Sequence, residues 1–354
     1  MKSTVFFMGA NAPSGFVGLY DELQGPHMRR LYILKGGPGN GKSTYLRTIA
    51  DAAEERGLYV ERISCASDPG SLDGVYLPER GIAWIDGTSP HVAEPKLPGA
   101  RDVYVNLGEL WNIDALEPET GTLTRLFESY AKAQAAAVRY IRAAGAVYDV
   151  ICALPEGVRF DKLERRTKGI AARELRKKGK TYGKGREIRR FLSGITPIGQ
   201  ICRYDSAFAL CERIYELTDA FGIGSAMLET LREAALRSGY DIITSGHPLA
   251  PEKLTHLLIP GAGVGFVTSD AVYTCDTEPY RRLRLETLVS GDTRKARQAY
   301  KENRKLLRSL LEAANQAQRC AKTIHDRIEE RYNPTVDFEK LRAMARDMVQ
   351  RTLD

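Results

Sequence analysis

Residues 36–43 read Gly-Gly-Pro-Gly-Asn-Gly-Lys-Ser. Gly36, Gly41, Lys42 and Ser43 keep the spacing of a loop that wraps the phosphates of a nucleoside triphosphate. Glycines let the backbone approach an anion where side chains would collide, and successive N–H groups then point at it. Gly37, Pro38, Gly39, Asn40, Gly41, Lys42, Ser43 and Thr44 are therefore the expected phosphate cradle. Lys42 is expected to reach the β- and γ-phosphates and the Ser43 hydroxyl to ligate Mg²⁺.

Asp86 closes the apolar run 82–85 and precedes Gly87. It is expected to hold the Mg²⁺ directly or through water; a strand-ending aspartate that caps a turn is the plain alternative. Asp68 and Asp73 lie in the polar stretch 65–75, read as a loop, and are candidates to orient an attacking water or a substrate hydroxyl. Asp68 fits equally the cap of a short helix starting at Pro69. Thr88 and His91 are candidate γ-phosphate sensors. Cys65 lies nearby, with core packing as its reading.

Such a loop works only between a strand and a helix. Leu31-Tyr32-Ile33-Leu34 suits a buried parallel strand. Tyr45, Leu46, Ile49, Ala50 and Ala53 follow at helical spacing, and Gly57 stops the run. Further strands are expected near 58–64, 81–85 and 102–105, then a helix over 122–153. A second series follows, with strands near 213–217, 240–244 and 264–268, helix over 281–332, and a last helix over 337–352 after Pro334.

The two series are copies of one unit. Phe7, Pro13, Gly15, Tyr20 and Asp21 match Phe191, Pro197, Gly199, Tyr204 and Asp205 at constant offset. Gly39 and Gly41 match Gly222 and Gly224; Val158, Phe160, Lys162 and Leu163 match Val336, Phe338, Lys340 and Leu341. The chemistry does not match. Gly36 becomes Asp219, Lys42 becomes Ser225, Ser43 becomes Ala226, and Asp86 becomes Thr268. Asp68 and Asp73 become Ala250 and Thr255. The second copy keeps the packing glycines and loses the phosphate ligands together, which points back to Lys42, Ser43 and Asp86 as the working set.

The 354 residues carry a net charge of +7 and 43% hydrophobic residues, a globular composition long enough for two domains. No apolar run reaches membrane-spanning length, and the apolar part of the first eight residues is too short for a secretory signal. Six cysteines without a Cys-x-x-Cys pair fit reduced thiols and a cytoplasmic protein. The charge is uneven: 161–190 holds thirteen Lys and Arg against four acids. That segment reads as a solvated linker or last helix of the first copy, as a handle for nucleic acid or an acidic partner, or as an arginine-bearing lid. Arg165, Arg166, Arg173 and Arg186 are its candidate fingers. The expected division is 1–160, a P-loop domain with an intact site; 161–190, the basic segment; and 191–354, a degenerate copy with C-terminal helices.

The loop at 36–44, the Ser-Asp-Pro-x-Ser-Leu-Asp-Gly-Val stretch at 67–75 and Asp-Gly-Thr-x-Pro-His at 86–91 resemble a bacterial group of tandem P-loop ATPases common in Firmicutes. Residues 9–15 and 191–197 carry the same likeness. The resemblance implies two tandem P-loop NTPase-like α/β units, each with a helical extension, and nucleotide binding, but no cellular process. This chain departs from that group at 218–227, where the group has a second working loop. No guanine-reading tetrad occurs, so ATP with Mg²⁺ is the expected ligand. The expected activity is ATP hydrolysis at a single site, with a small-molecule kinase or an ATP-switched adaptor as alternatives.

Overall fold

A computed structural model describes residues 3–176, 183–291 and 293–354. The first half contains β1 (Thr4–Phe6), β2 (Gly9–Ala12), β3 (Gly15–Gly18), β4 (Arg30–Lys35) and α1 (Lys42–Glu55). β5 (Glu61–Ser64), β6 (Leu72–Leu77), β7 (Ile82–Asp86) and β8 (Asp102–Asn106) follow, then α2 (Ile113–Leu116), the long α3 (Thr120–Ile151) and α4 (Phe160–Glu174). The second half contains β9 (Glu187–Arg189), β10 (Ser193–Thr196), β11 (Gly199–Cys202), α5 (Tyr204–Leu210), β12 (Arg213–Thr218) and α6 (Gly224–Arg237). It ends with β13 (Ile242–His247), β14 (Ala250–Ile259), β15 (Val264–Ser269), β16 (Arg281–Arg284), the long α7 (Arg294–Tyr332) and α8 (Phe338–Leu353).

The molecule is mixed α/β, with two six-stranded sheets of one topology. The first runs β1-β5-β6-β7-β4-β8 and the second, from its equivalent edge, β9-β13-β14-β15-β12-β16. In each, the third strand is antiparallel to both neighbours and the other pairings are parallel. β2–β3 and β10–β11 are matching hairpins. Register confirms the alignment: Val75 pairs Trp84 as Leu257 pairs Phe266, and Ser64 pairs Leu72 as Gly246 pairs Leu254. Phe7 bridges its own counterpart Phe191, the self-pairing that a two-fold relation between copies produces.

Each copy's last helix covers the other copy. Leu163 and Ile170 of α4 bury with Leu228 and Leu231 of α6. Leu341, Ala345, Val349 and Leu353 of α8 bury with Leu46, Ile49 and Ala53 of α1. The bridges are reciprocal: Val158 pairs Val289, and its counterpart Val336 pairs Trp111. Leu123 and Leu126 at the start of α3 cluster with Ile328 near the end of α7, whereas Ile141–Ile151 meet Leu307–Ala314. The two long helices are thus antiparallel.

Three expectations are corrected. Arg281–Arg284 is an edge strand rather than helix; only Leu283 faces inward, so the charged exposed residues imitate a helix surface. Leu72–Leu77 is a buried strand rather than loop. Its Gly74 has no Cβ because Ile63 and the Trp84 carbonyl lie 2.9 Å from where one would stand, which hides the strand pattern. No helix starts at Pro69; residues 69–70 turn, and the Asp68 carbonyl accepts from Ser71 N. The described parts of the basic segment, 161–176 and 183–190, pack against the rest of the protein. α4 is packed, β9 extends the second sheet, and Arg190 is buried in an ion pair with Glu61 of β5 at 2.9 Å. Residues 177–182, with Lys177, Lys178 and Lys180, lie outside the described residues. Among the described residues no helix is long and apolar enough to cross a membrane.

Candidate functional site

The loop at 36–43 joins the end of β4 to the start of α1. Gly39 (φ +68°) and Gly41 (φ +80°) take the left-handed backbone that turns the chain back into the helix. Its glycines are also demanded by the rest of the protein. A Cβ on Gly37 would stand 2.9 Å from the Trp111 ring, and one on Gly39 would meet Asn333 and the Glu329 backbone of α7. A Cβ on Gly41 would strike Leu341 of α8. Asn40 is buried and donates Nδ2 to the Leu107 carbonyl at 3.1 Å. The second copy therefore supports the loop of the first.

The neighbouring parallel strands β4 and β7 bring the proposed ligands together. Lys42 Nζ donates to the Gly37 carbonyl at 2.7 Å and lies 3.7 Å from Asp86 Oδ2. Asp86 Oδ1 accepts from Thr88 N at 2.9 Å and from the Thr88 hydroxyl at 2.5 Å, so Thr88 orients this carboxylate. Ser43 Oγ accepts from Leu72 N at 3.0 Å and keeps its proton and a lone pair for other partners. A hydroxyl and a carboxylate on one cavity wall are the oxygen donors Mg²⁺ takes, so Ser43 and Asp86 fit that ion.

These groups line a cavity of about 790 Å³, together with Pro38, Thr44, Asp68, Asp73 and His91. Asp73 is buried, with Tyr20 OH at 3.4 Å and His91 Nε2 at 3.1 Å. Burial works to lower the His91 imidazolium, but the charge and hydrogen bond of Asp73, with the charge of Asp86, leave it raised above the ordinary value. Asp68 accepts from the Ser71 hydroxyl and faces Lys322 Nζ at 3.5 Å.

The far wall comes from the second copy. Gln318, Lys322, His325 and Glu329 of α7 line it with Asn333 just beyond that helix, and Glu329 Oε1 accepts from Gly39 N at 3.3 Å. Sequence reasoning missed this face. Its signal is a stripe of polar residues at spacings of three and four, each preceded by an apolar residue (Ala317, Ala321, Ile324, Ile328). Arg165, Arg166, Arg173 and Arg186 do not line the cavity; Arg165 pairs Asp161, and Arg173 pairs Glu174.

The equivalent place in the second copy is nearly filled, with about 20 Å³ of free space. The Asp219 carboxylate accepts from Phe221 N (3.2 Å), Ile223 N (3.0 Å) and Gly224 N (2.7 Å). An internal carboxylate thus satisfies three amides of this loop. Burial raises the Asp219 pKa despite these three hydrogen bonds. Tyr148 stacks on His247 at 4.1 Å and donates to Asp270, filling the space beside it.

The fold and its two unequal sites define a duplicated α/β protein with one large cavity and one nearly filled counterpart of it. No protein-family model, curated protein or solved structure matches the chain.

Proposed function

We propose that the protein binds ATP as its Mg²⁺ complex at the 36–43 loop and transfers the γ-phosphoryl group, to water in the simplest case. The observation that carries this reading is the convergence of Lys42, Ser43 and Asp86 at the ends of two adjacent parallel strands, on the wall of an open cavity. Lys42 rests on loop carbonyls, where arriving phosphates can take over its hydrogen bonds. Ser43 and Asp86 would hold the Mg²⁺, whose charge offsets that developing on the phosphates. Asp68, on the same cavity wall, would orient the attacking oxygen.

A kinase is the second reading, favoured by cavity size. About 790 Å³ lies high in the range of small-molecule sites, and Phe127, Tyr130 and Gln134 of α3 line it with Gln318 of α7.

Calorimetric titration with Mg-ATP and phosphate release, each with and without Lys42→Ala, test the reading. Loss of charge-assisted hydrogen bonds of about 1.5–3 kcal/mol predicts about a 10- to 150-fold weaker Kd for the variant. Failure of the wild type to bind ATP refutes it. Turnover stimulated by an added acceptor selects the kinase.

A further inference from the structure

One group of cavity residues has no part in holding a nucleotide. Cys65 follows β5, Asp73 lies in β6 and His91 follows β7. Their ligating atoms all lie within 4.8 Å of one another. We propose that Cys65 Sγ, Asp73 carboxylate and His91 imidazole form a binding site for a borderline-soft divalent cation of the Zn²⁺ class, its open position facing the cavity.

The donor set carries the choice of ion. Thiolate, imidazole and carboxylate suit Zn²⁺ and its neighbours, whereas Mg²⁺ takes oxygen. Zn–N and Zn–S bonds of about 2.0–2.3 Å put tetrahedral donors about 3.3–3.8 Å apart, which shifts of a few tenths of an ångström to about 1 Å would achieve here. Three protein ligands and one open position is the plan of a catalytic rather than a structural zinc site.

The surroundings are built to hold the imidazole. Phe16 meets its ring edge-on at 5.1 Å and Tyr20 lies against it at 5.3 Å. His91 is 8% exposed, and its Nδ1 is buried without a hydrogen-bond partner. A nucleophilic Cys-His-Asp relay would need the ring to bridge acid and thiol through both nitrogens, and Nδ1 bridges nothing.

The second copy supplies an internal control. By strand register and constant offset, Cys65, Asp73 and His91 correspond to His247, Thr255 and Tyr273. His247 and Tyr273 again meet, as rings 5.4 Å apart. The position is the same, but the donor set is gone, in the copy whose cavity is nearly filled.

The test uses the full-length protein, stripped with chelator, without nucleotide, titrated with Co²⁺ as a spectroscopic stand-in. The expected result is one equivalent bound, with a thiolate-to-cobalt band in the near ultraviolet and visible bands of a four-coordinate site. Zn²⁺ should displace it. Cys65→Ser should abolish the thiolate band while the metal-free variant melts as the metal-free wild type does. His91→Gln should weaken binding by more than about tenfold, since losing even an outer-shell partner of a ligand costs about 10–100-fold. Lys42→Ala and Cys320→Ser should leave the band intact, which separates this site from the nucleotide reading and from an exposed thiol. Absence of the band in folded wild type, or its persistence in Cys65→Ser, overturns the proposal.

Discussion

The exchange of terminal helices makes a prediction that sequence position alone would reverse. Leu163 and Leu341 occupy equivalent places in the two copies, and both are buried. Each sits in the core of the copy to which it does not belong. Truncation of either to Ala removes three carbons from a packed interior and costs about 2–5 kcal/mol. With a urea m-value of about 3 kcal/mol/M, a loss of about 3 kcal/mol lowers the unfolding midpoint by about 1 M. The functional effects should differ. Leu341 touches Gly41, where even a single added carbon would lie 2.3 Å from its Cδ2. Leu163 packs in the copy whose cavity is nearly filled. Leu341→Ala, in the C-terminal half, should therefore loosen the N-terminal loop. If about 1 kcal/mol of the loss reaches that loop, ATP affinity falls about fivefold. Leu163→Ala should destabilise to a similar degree and leave affinity unchanged. Calorimetric titration with Mg-ATP under conditions where both variants are folded reads this directly. Equal weakening by both substitutions, or weakening by Leu163→Ala alone, would refute the exchanged arrangement as the support of the loop.

Other predictions concern the nearly filled site, the α7 wall and acid stability. Asp219→Ala leaves three buried backbone N–H groups without their acceptor, at about 1–3 kcal/mol for each; chemical denaturation should show a loss of several kcal/mol, and Mg-ATP stoichiometry should stay at one because the space beside it remains filled. Glu329→Gln removes a negative charge from the 36–43 loop, so Mg-ATP should bind about two- to fivefold more tightly, as removal of a partly exposed charge allows, and an unchanged Kd would mean that Glu329 does not face the phosphates. Burial pushes His247 and His256 down to about 3. Because these folded values lie below the unfolded value of about 6.5, stability is complete above that pH and falls as pH drops from about 6.5 towards 3. A urea midpoint that stays level between pH 7 and pH 4.5 would contradict this, and His256→Gln should flatten the slope.

The loop, its flanking strand and helix, and the duplication were legible because they rest on local rules. Gly39 and Gly41 mark left-handed backbone, Tyr45 to Ala53 mark a buried helix face, and repeated glycines and prolines mark a repeated unit. Strands with unusual burial were not legible. β16 exposes its arginines at an edge, and β6 is buried and broken by Gly74, so neither shows simple alternation. The role of Asp219 was partly legible: its charge at a phosphate position could be read, whereas its three amide contacts required the folded loop.

Sequence by itself determined the duplicated unit, the glycine-rich loop of the first copy, and the loss of lysine, hydroxyl and carboxylate from the second. These are properties of residue type and near-neighbour spacing. Tertiary structure alone decided which copy each terminal helix covers, that α7 walls the cavity of the other half, and that Cys65, Asp73 and His91 converge. Periodicity tells a helix which face to bury but not against which of two similar partners. Here α4 buries its apolar face on α6 and α8 on α1, and that exchange is visible only in the folded chain.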